Sequence, residues 1–294
     1  MMIEDFIEQK TRPVSEDYFV KCMNMEQGTE EWLESRKGVV TGSKVASFLG
    51  NGYHPFKRGM LQIVHPETNY INSIYTGHGT MIEPFIEGLF CVHFQQRVDD
   101  PNDELQDFFF EECGMILNYT TGSWQGYSPD GIIHCVFANG ETAKYLCEFK
   151  APYSKRHVES SSFTFYKDGV TVPRSTERRF HEKSLRQKEN KENKVPYSNR
   201  HDITPYYYDQ IQWGMGIGME TGKLSLRSPS DVMKCYFVVH TFHCTKIQEV
   251  EFDCKYYEYM KEESFEVYKK IYVPSILKKD SNEGLGKNEL VNLF

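Results

Sequence analysis

The sequence predicts an α/β fold in which helices alternate with strands, and three observations carry that prediction. From Gly79 to Phe94, apolar residues (Met81, Ile82, Phe85, Ile86, Leu89, Phe90) recur at helical spacing. Four segments after it, Phe108 to Asn118, Trp124 to Tyr127, Gly131 to Phe137 and Lys144 to Lys150, are rich in strand-forming residues and separated by turn signals. A second helical pattern, Tyr206 to Met219 opened by Pro205, is followed by two further strands, Val232 to His243 and Lys246 to Phe252.

The elements follow in order. Residues 1 to 24 read as an irregular helical leader. Thr29 is placed to N-cap a short helix whose first turn holds Glu30 and Glu31, with Trp32 and Leu33 facing the core. Gly38 ends it, Val39-Val40 lead to a Thr41-Gly42-Ser43 turn, and Ser43 caps a helix from Lys44 to Leu49 closed by Gly50. Residues 50 to 76 read as loop with one helical turn. Pro84 falls in the first turns of the Gly79 helix, where proline is tolerated. The four strand segments read as one meander, with Asn139-Gly140 marking a turn. Residues 154 to 204 read as a basic insertion. Gly214, Gly216 and Gly218 permit close helix approach and, with no strand before them, form no phosphate loop. Asp253 caps a final amphipathic helix from Lys255 to about Tyr272, and the polar tail from Lys278 reads as frayed.

Composition narrows the classes. At 294 residues the chain reads as a single domain, 1 to 294, with room for a core. Hydrophobic residues at 39% and aromatics at 14% exclude a disordered chain. There is no apolar run of the ~20 residues a membrane helix needs, and the acidic start MMIEDFIEQK lacks signal-peptide character. The expectation is a soluble intracellular protein with no membrane partner. Eight cysteines show neither C-x-x-C nor zinc spacing, which favours buried free thiols. Ten scattered histidines suggest no histidine metal site. The net charge is −8, but Lys155 to Arg200 hold twelve Lys and Arg against six Asp and Glu, a balance of +6 that leaves −14 on the rest. That asymmetry suits a basic DNA-contacting arm and equally a solvated charged loop.

The chemistry concentrates in GYSPDGII and, 18 residues beyond Asp130, in YLCEFKAPY. Residues two apart on a strand share a face, so Glu148 and Lys150 project together. A hairpin would set Asp130 beside them. Two carboxylates and a lysine on one face can hold Mg²⁺ and orient a water toward phosphorus. The plainer alternative is a turn aspartate beside a Glu/Lys ladder pair.

SPDG followed by E-x-K-x-P resembles the PD-(D/E)xK nucleases, and within them the lambda-exonuclease/YqaJ/viral alkaline-exonuclease family. Three more blocks agree in order: EQGTEEWLESRKGVVTGSKVASFLG, TGHGTMIEPFIEGLF with its Gly79 to Glu83 pattern, and YYYDQIQWGMGIG with its Tyr207 to Gln210 pattern. The blocks span about residues 26 to 220.

The resemblance implies a restriction-endonuclease-like core, a central mixed β-sheet flanked by helices. It implies Mg²⁺, with Mn²⁺ able to take its place, held by Asp130, Glu148, the Phe149 carbonyl and Glu83. Glu83 otherwise reads as a helix-start acid. Lys150 would orient or deprotonate the attacking water with a lowered pKa, or pair with Glu148. Gln210 would hold that water or the scissile phosphate, its alternative being a core amide. Arg36, Ser43 and Ser128 resemble a 5′-phosphate pocket, their alternative being a structural arginine and two turn serines. Tyr207 would contact DNA or pack in the core. The implied activity is 5′-to-3′ digestion of double-stranded DNA to 5′-phosphate products, leaving 3′ tails for recombination, repair or genome processing. A single-strand annealing protein is the implied partner, and a large DNA virus, acting in host cytoplasm or nucleus, the implied source. The alternatives are an endonuclease of the same fold on DNA or RNA, and a catalytically silent DNA-end-binding protein.

Overall fold

A computed structural model describes residues 2–52, 54–65, 74–153, 156–157 and 203–280. Nearly all of the 154–204 insertion, and the tail beyond 280, lie outside these residues.

The leader forms two helices, α1 (Ile3–Thr11) and α2 (Glu16–Met23), the second capped by Ser15, whose side chain accepts from the Tyr18 N–H. Thr29 caps α3 (Glu30–Ser35) by accepting the Trp32 N–H at 3.3 Å. Strand β1 (Val40–Thr41) runs directly into α4 (Gly42–Phe48). Then come α5 (Phe56–Val64), α6 (Ile74–Asp99) and five strands: β2 (Leu105–Glu111), β3 (Ile116–Leu117), β4 (Gln125–Tyr127), β5 (Gly131–Phe137) and β6 (Thr142–Lys150). Helix α7 (Pro205–Glu220) precedes β7 (Lys234–His240) and β8 (Thr245–Glu251). Helix α8 (Cys254–Val267), capped by Asp253, continues through a π turn at Tyr268–Tyr272 into α9 (Val273–Asp280).

The central sheet has the order β2-β5-β6-β7-β8. It is mixed, because β6 and β7 run parallel while every other pairing is antiparallel. A parallel step needs a crossover, and α7 lies within it. Helices cover both faces. Phe90 of α6 packs on Phe149 and Tyr236, while Gln210 of α7 reaches Glu148 on the opposite face. Strand alternation explains this division, since neighbours Glu148 and Phe149 must point apart. A single apolar core runs through both helical layers. Cys22, Cys113, Cys135, Cys147 and Cys235 are buried free thiols in it.

Several expectations are corrected. The meander is two sheets: β1, β4 and β3 form a separate small sheet, and β5 pairs with β2 rather than β4. Short strands carry little register information of their own, and the parallel partner β1 comes from far earlier in the chain. Residues 50 to 76 contain a nine-residue helix, α5, and α6 already begins at Ile74. Pro84 is therefore inside α6, not in its first turns. Met81 and Phe85, placed on the core stripe, are exposed, as is Leu33 of α3. Ser43 is the second residue of α4 and caps nothing.

Candidate active site

Three elements converge at the C-terminal end of β6. The β5–β6 hairpin aligns Gly131 with Cys147, and the Phe149 N–H donates to Asp130 Oδ2 at 2.5 Å. Asp130, one residue before β5, is thereby fixed beside the β6 end. Glu148 is only 1% exposed. A buried carboxylate must be fully hydrogen-bonded, and this one is. Its Oε1 accepts from the Lys150 ammonium and, at 2.5 Å, from Gln210 Nε2, while its Oε2 accepts from the Tyr127 hydroxyl.

The Lys150 ammonium touches three oxygens. It bonds Glu148 Oε1, donates to the Phe149 carbonyl at 3.0 Å and lies 3.7 Å from Asp130 Oδ2. Those are the oxygens expected to hold a metal. Tyr207 lies alongside, its ring centroid 5.5 Å from the ammonium, and also packs on Phe237 at 5.7 Å. Tyr207 thus serves both the site and the core.

Glu83 approaches from α6. Its surface is exposed, but burial of the carboxyl first, and the charge of Asp130 second, push it up to about 7. Burial followed by the Asp130 charge does the same to Glu148, against the pull of Lys150. Lys150 itself is held above its ordinary value. Burial works against the ammonium, and the charges of Glu148 and Asp130 outweigh it. The lowering expected of Lys150 belongs to a lysine beside a bound cation, whereas here its neighbours are carboxylates. Asp130 and Glu148 share the Lys150 ammonium, with the Phe149 carbonyl beside them. That donor set fits a hard divalent cation. Among the described residues, however, no group of three or more His, Cys, Asp and Glu is arranged to hold a metal ion. Asp130, Glu148 and the Phe149 carbonyl converge on the Lys150 ammonium, and Glu83 of α6 lies near enough to feel the Asp130 charge.

A second cluster adjoins it. Arg36 donates to Ser128 Oγ at 3.2 Å, to Ser43 Oγ at 3.1 Å and to Thr41 Oγ1 at 3.4 Å. Its guanidinium stacks on Trp32, 4.1 Å from the ring centroid. Hydroxyls surround this cation, and among the described residues no carboxylate pairs with it. Burial lowers it to about 10. Beneath it, Lys44 Nζ donates to the Arg36 and Val39 carbonyls, both at 3.2 Å. Burial, then the Arg36 charge, brings Lys44 down to about 7. A half-buried guanidinium ringed by hydroxyls is suited to a phosphate. Ser128 lies two residues before Asp130, which sets this cluster next to the carboxylates.

Four participants were given no place in the site by the sequence reading. Tyr127 holds Glu148, Thr41 and Trp32 complete the Arg36 cluster, and Gln27 Nε2 pins the Ser128–Asp130 loop through the Cys113 and Pro129 carbonyls, both at 2.9 Å. All four lie inside the motif blocks quoted above, but nothing in their spacing announces a contact made only in the fold. Tyr127 also explains two glycines. A Cβ on Gly42 or on Gly214 would meet its ring at 2.4 and 2.5 Å.

No known protein family and no curated protein matches the sequence. Among solved structures, the chain is similar to the alkaline exonuclease LHK-Exo of Laribacter hongkongensis, with TM-score 0.48 and 16% identity over 87% of this chain and all of that one. It is likewise similar to LHK-Exo in complex with dAMP, with TM-score 0.49 and 18% identity over 87% of this chain and 99% of that one.

Proposed function

We propose that this protein is a Mg²⁺-dependent exonuclease that digests double-stranded DNA from its 5′ ends. One observation carries the reading: a lysine ammonium lies on two carboxylates and a backbone carbonyl, beside a hydroxyl-ringed arginine with which no carboxylate pairs among the described residues. Asp130, Glu148 and the Phe149 carbonyl would hold the ion, with Glu83 at the rim. Once bound, Mg²⁺, or Mn²⁺ in its place, polarises a phosphoryl oxygen. Lys150 and Gln210 orient the attacking water through donors that already converge on Glu148. The water oxygen bonds to phosphorus as the bond to the 3′ oxygen breaks, so the product keeps a 5′-phosphate. Arg36, Ser43 and Ser128 seat a terminal 5′-phosphate, and Tyr207 flanks the strand. A terminal phosphate carries more charge than an internal diester and gains more from the guanidinium.

End choice tests this. A charge-assisted contact is worth about 1.5–3 kcal/mol, on the order of ten- to a hundredfold in rate. Linear duplex with 5′-phosphate ends should be degraded faster than 5′-hydroxyl duplex by that factor, in metal-dependent fashion. Closed circular DNA should resist. Arg36→Ala should remove the preference. Equal rates on both ends at fixed salt would remove the pocket, and cutting of closed circles would replace the exonuclease by an endonuclease.

A further inference from the structure

Tyr75, at the start of α6, and Phe242, in the β7–β8 turn, are 61% and 54% exposed. They belong to one row of rings. Tyr75 lies edge-on to Tyr153 at 5.4 Å, Tyr153 to His78 at 5.4 Å, His78 to Phe242 at 5.7 Å, and Phe242 to His157 at 5.3 Å. Arg156 stacks 3.8 Å over Tyr153 and donates to its carbonyl at 2.7 Å. The Phe242 N–H donates to the Arg156 carbonyl at 2.8 Å, tying the turn to the segment after β6. Three separate stretches of chain thus build an aromatic row with one guanidinium and no carboxylate among its members; Tyr75, His157 and Phe242 are its exposed rings, and His78 is buried.

Its place in the fold is informative. Tyr153 is three residues beyond Lys150. Phe242 is three beyond Val239, the β7 residue in register with Lys150. The row therefore begins where β6, which carries Glu148, and its parallel neighbour β7 end.

We propose that this row is a stacking surface for the unpaired nucleotides of a DNA single strand next to the cleavage site. Its link to cleavage rests on the nuclease reading above; the binding itself does not. Bases stack on aromatic rings whatever their sequence, and arginine adds a cation–π contact. Duplex bases hide their faces from such rings, whereas an unpaired strand presents them.

The test uses the full chain with Tyr75→Ser, Phe242→Ser and both together. Both positions are exposed, so thermal melts should stay at the wild-type value. In EDTA, to prevent cutting, fluorescence anisotropy at fixed salt follows a labelled oligo(dT) and a blunt duplex. Each single change should raise the oligo(dT) Kd about tenfold and the pair about a hundredfold, while duplex affinity changes by less than about threefold. Three results would overturn the proposal: no oligo(dT) binding by the wild type, equal binding by the double variant, or a wild-type dimer in sedimentation that the substitutions dissociate, which would assign the rings to a second copy. The two readings fail separately. Absent nucleotide release from linear DNA sinks the nuclease alone, and unchanged oligo(dT) binding in the variants sinks the stacking surface alone.

Discussion

Glu148 is only 1% exposed and touches an ammonium, an amide and a phenol, so its substitution removes both charge and geometry. Glu148→Gln and Asp130→Asn are each expected to lower nucleotide release by about a thousandfold, since a bound metal contributes several kcal/mol to the transition state. Circular dichroism should show both variants folded; near-wild-type turnover in either would unseat the carboxylates. Lys150 and Arg36 should separate by parameter. Lys150→Ala lowers kcat with little change in DNA affinity, whereas Arg36→Ala weakens binding of 5′-phosphorylated ends, and equal loss of binding in both would refute the division. Glu148 also makes stability depend on pH. Its folded carboxyl is pushed up to about 7 from an ordinary 4.5. Between those values the folded protein binds more protons than the unfolded chain, so this group's contribution is present below about 4.5 and lost as pH rises through about 7. In metal-free buffer the melting temperature of the wild type minus that of Glu148→Gln should therefore fall across that window. A flat difference would mean that Glu148 titrates normally.

At the scale of elements, α4 and α7 close on the Tyr127 ring, which must stay where its hydroxyl meets Glu148. A Cβ at Gly214 would come within 2.5 Å of that ring. Overpacking of this kind costs about 1–3 kcal/mol, and the ring can yield only by letting go of the carboxylate. Gly214→Ala should therefore lower both the denaturation midpoint and the turnover. Gly88 makes the control. It is exposed on α6 with open space where a Cβ would go, so Gly88→Ala should stabilise by about 0.5–1 kcal/mol through helix propensity and leave activity unchanged. Loss of stability in Gly88→Ala, or none in Gly214→Ala, would contradict this account of the packing.

At the scale of the whole molecule, the small sheet, α7 and the C-terminal helices meet around Trp213. Its ring lies 6.1 Å from Trp124 and 5.9 Å from Tyr257, and its indole N–H donates to the Val40 carbonyl at 3.2 Å. Trp124 in turn packs on Phe265 and Tyr268. Trp213→Ala should cost about 3–5 kcal/mol, read as a lower urea midpoint, with β1 and the adjoining Arg36 cluster loosened together. Among the described residues no helix is long and apolar enough to cross a membrane.

How much of this the sequence determined follows from the range of the forces involved. Local signals were legible. Thr29 and Asp253 cap their helices, Asn139-Gly140 turns the β5–β6 hairpin with Gly140 at φ 81°, and strand alternation puts Glu148 and Lys150 on one face. Each rests on interactions within a few residues, which sequence spacing encodes directly. The hairpin is local as well, and it was enough to bring Asp130 to β6. What only the tertiary structure decided is long-range: the division of the strands between two sheets, the parallel pairing of β1 with β4, the phenol of Tyr127 on Glu148, and the burial that moves Glu148 and Lys44 to about 7. Register between short strands, and the solvent exposure of a charge, are set by what packs against them from distant parts of the chain, and no pattern within one segment records its neighbour across the core.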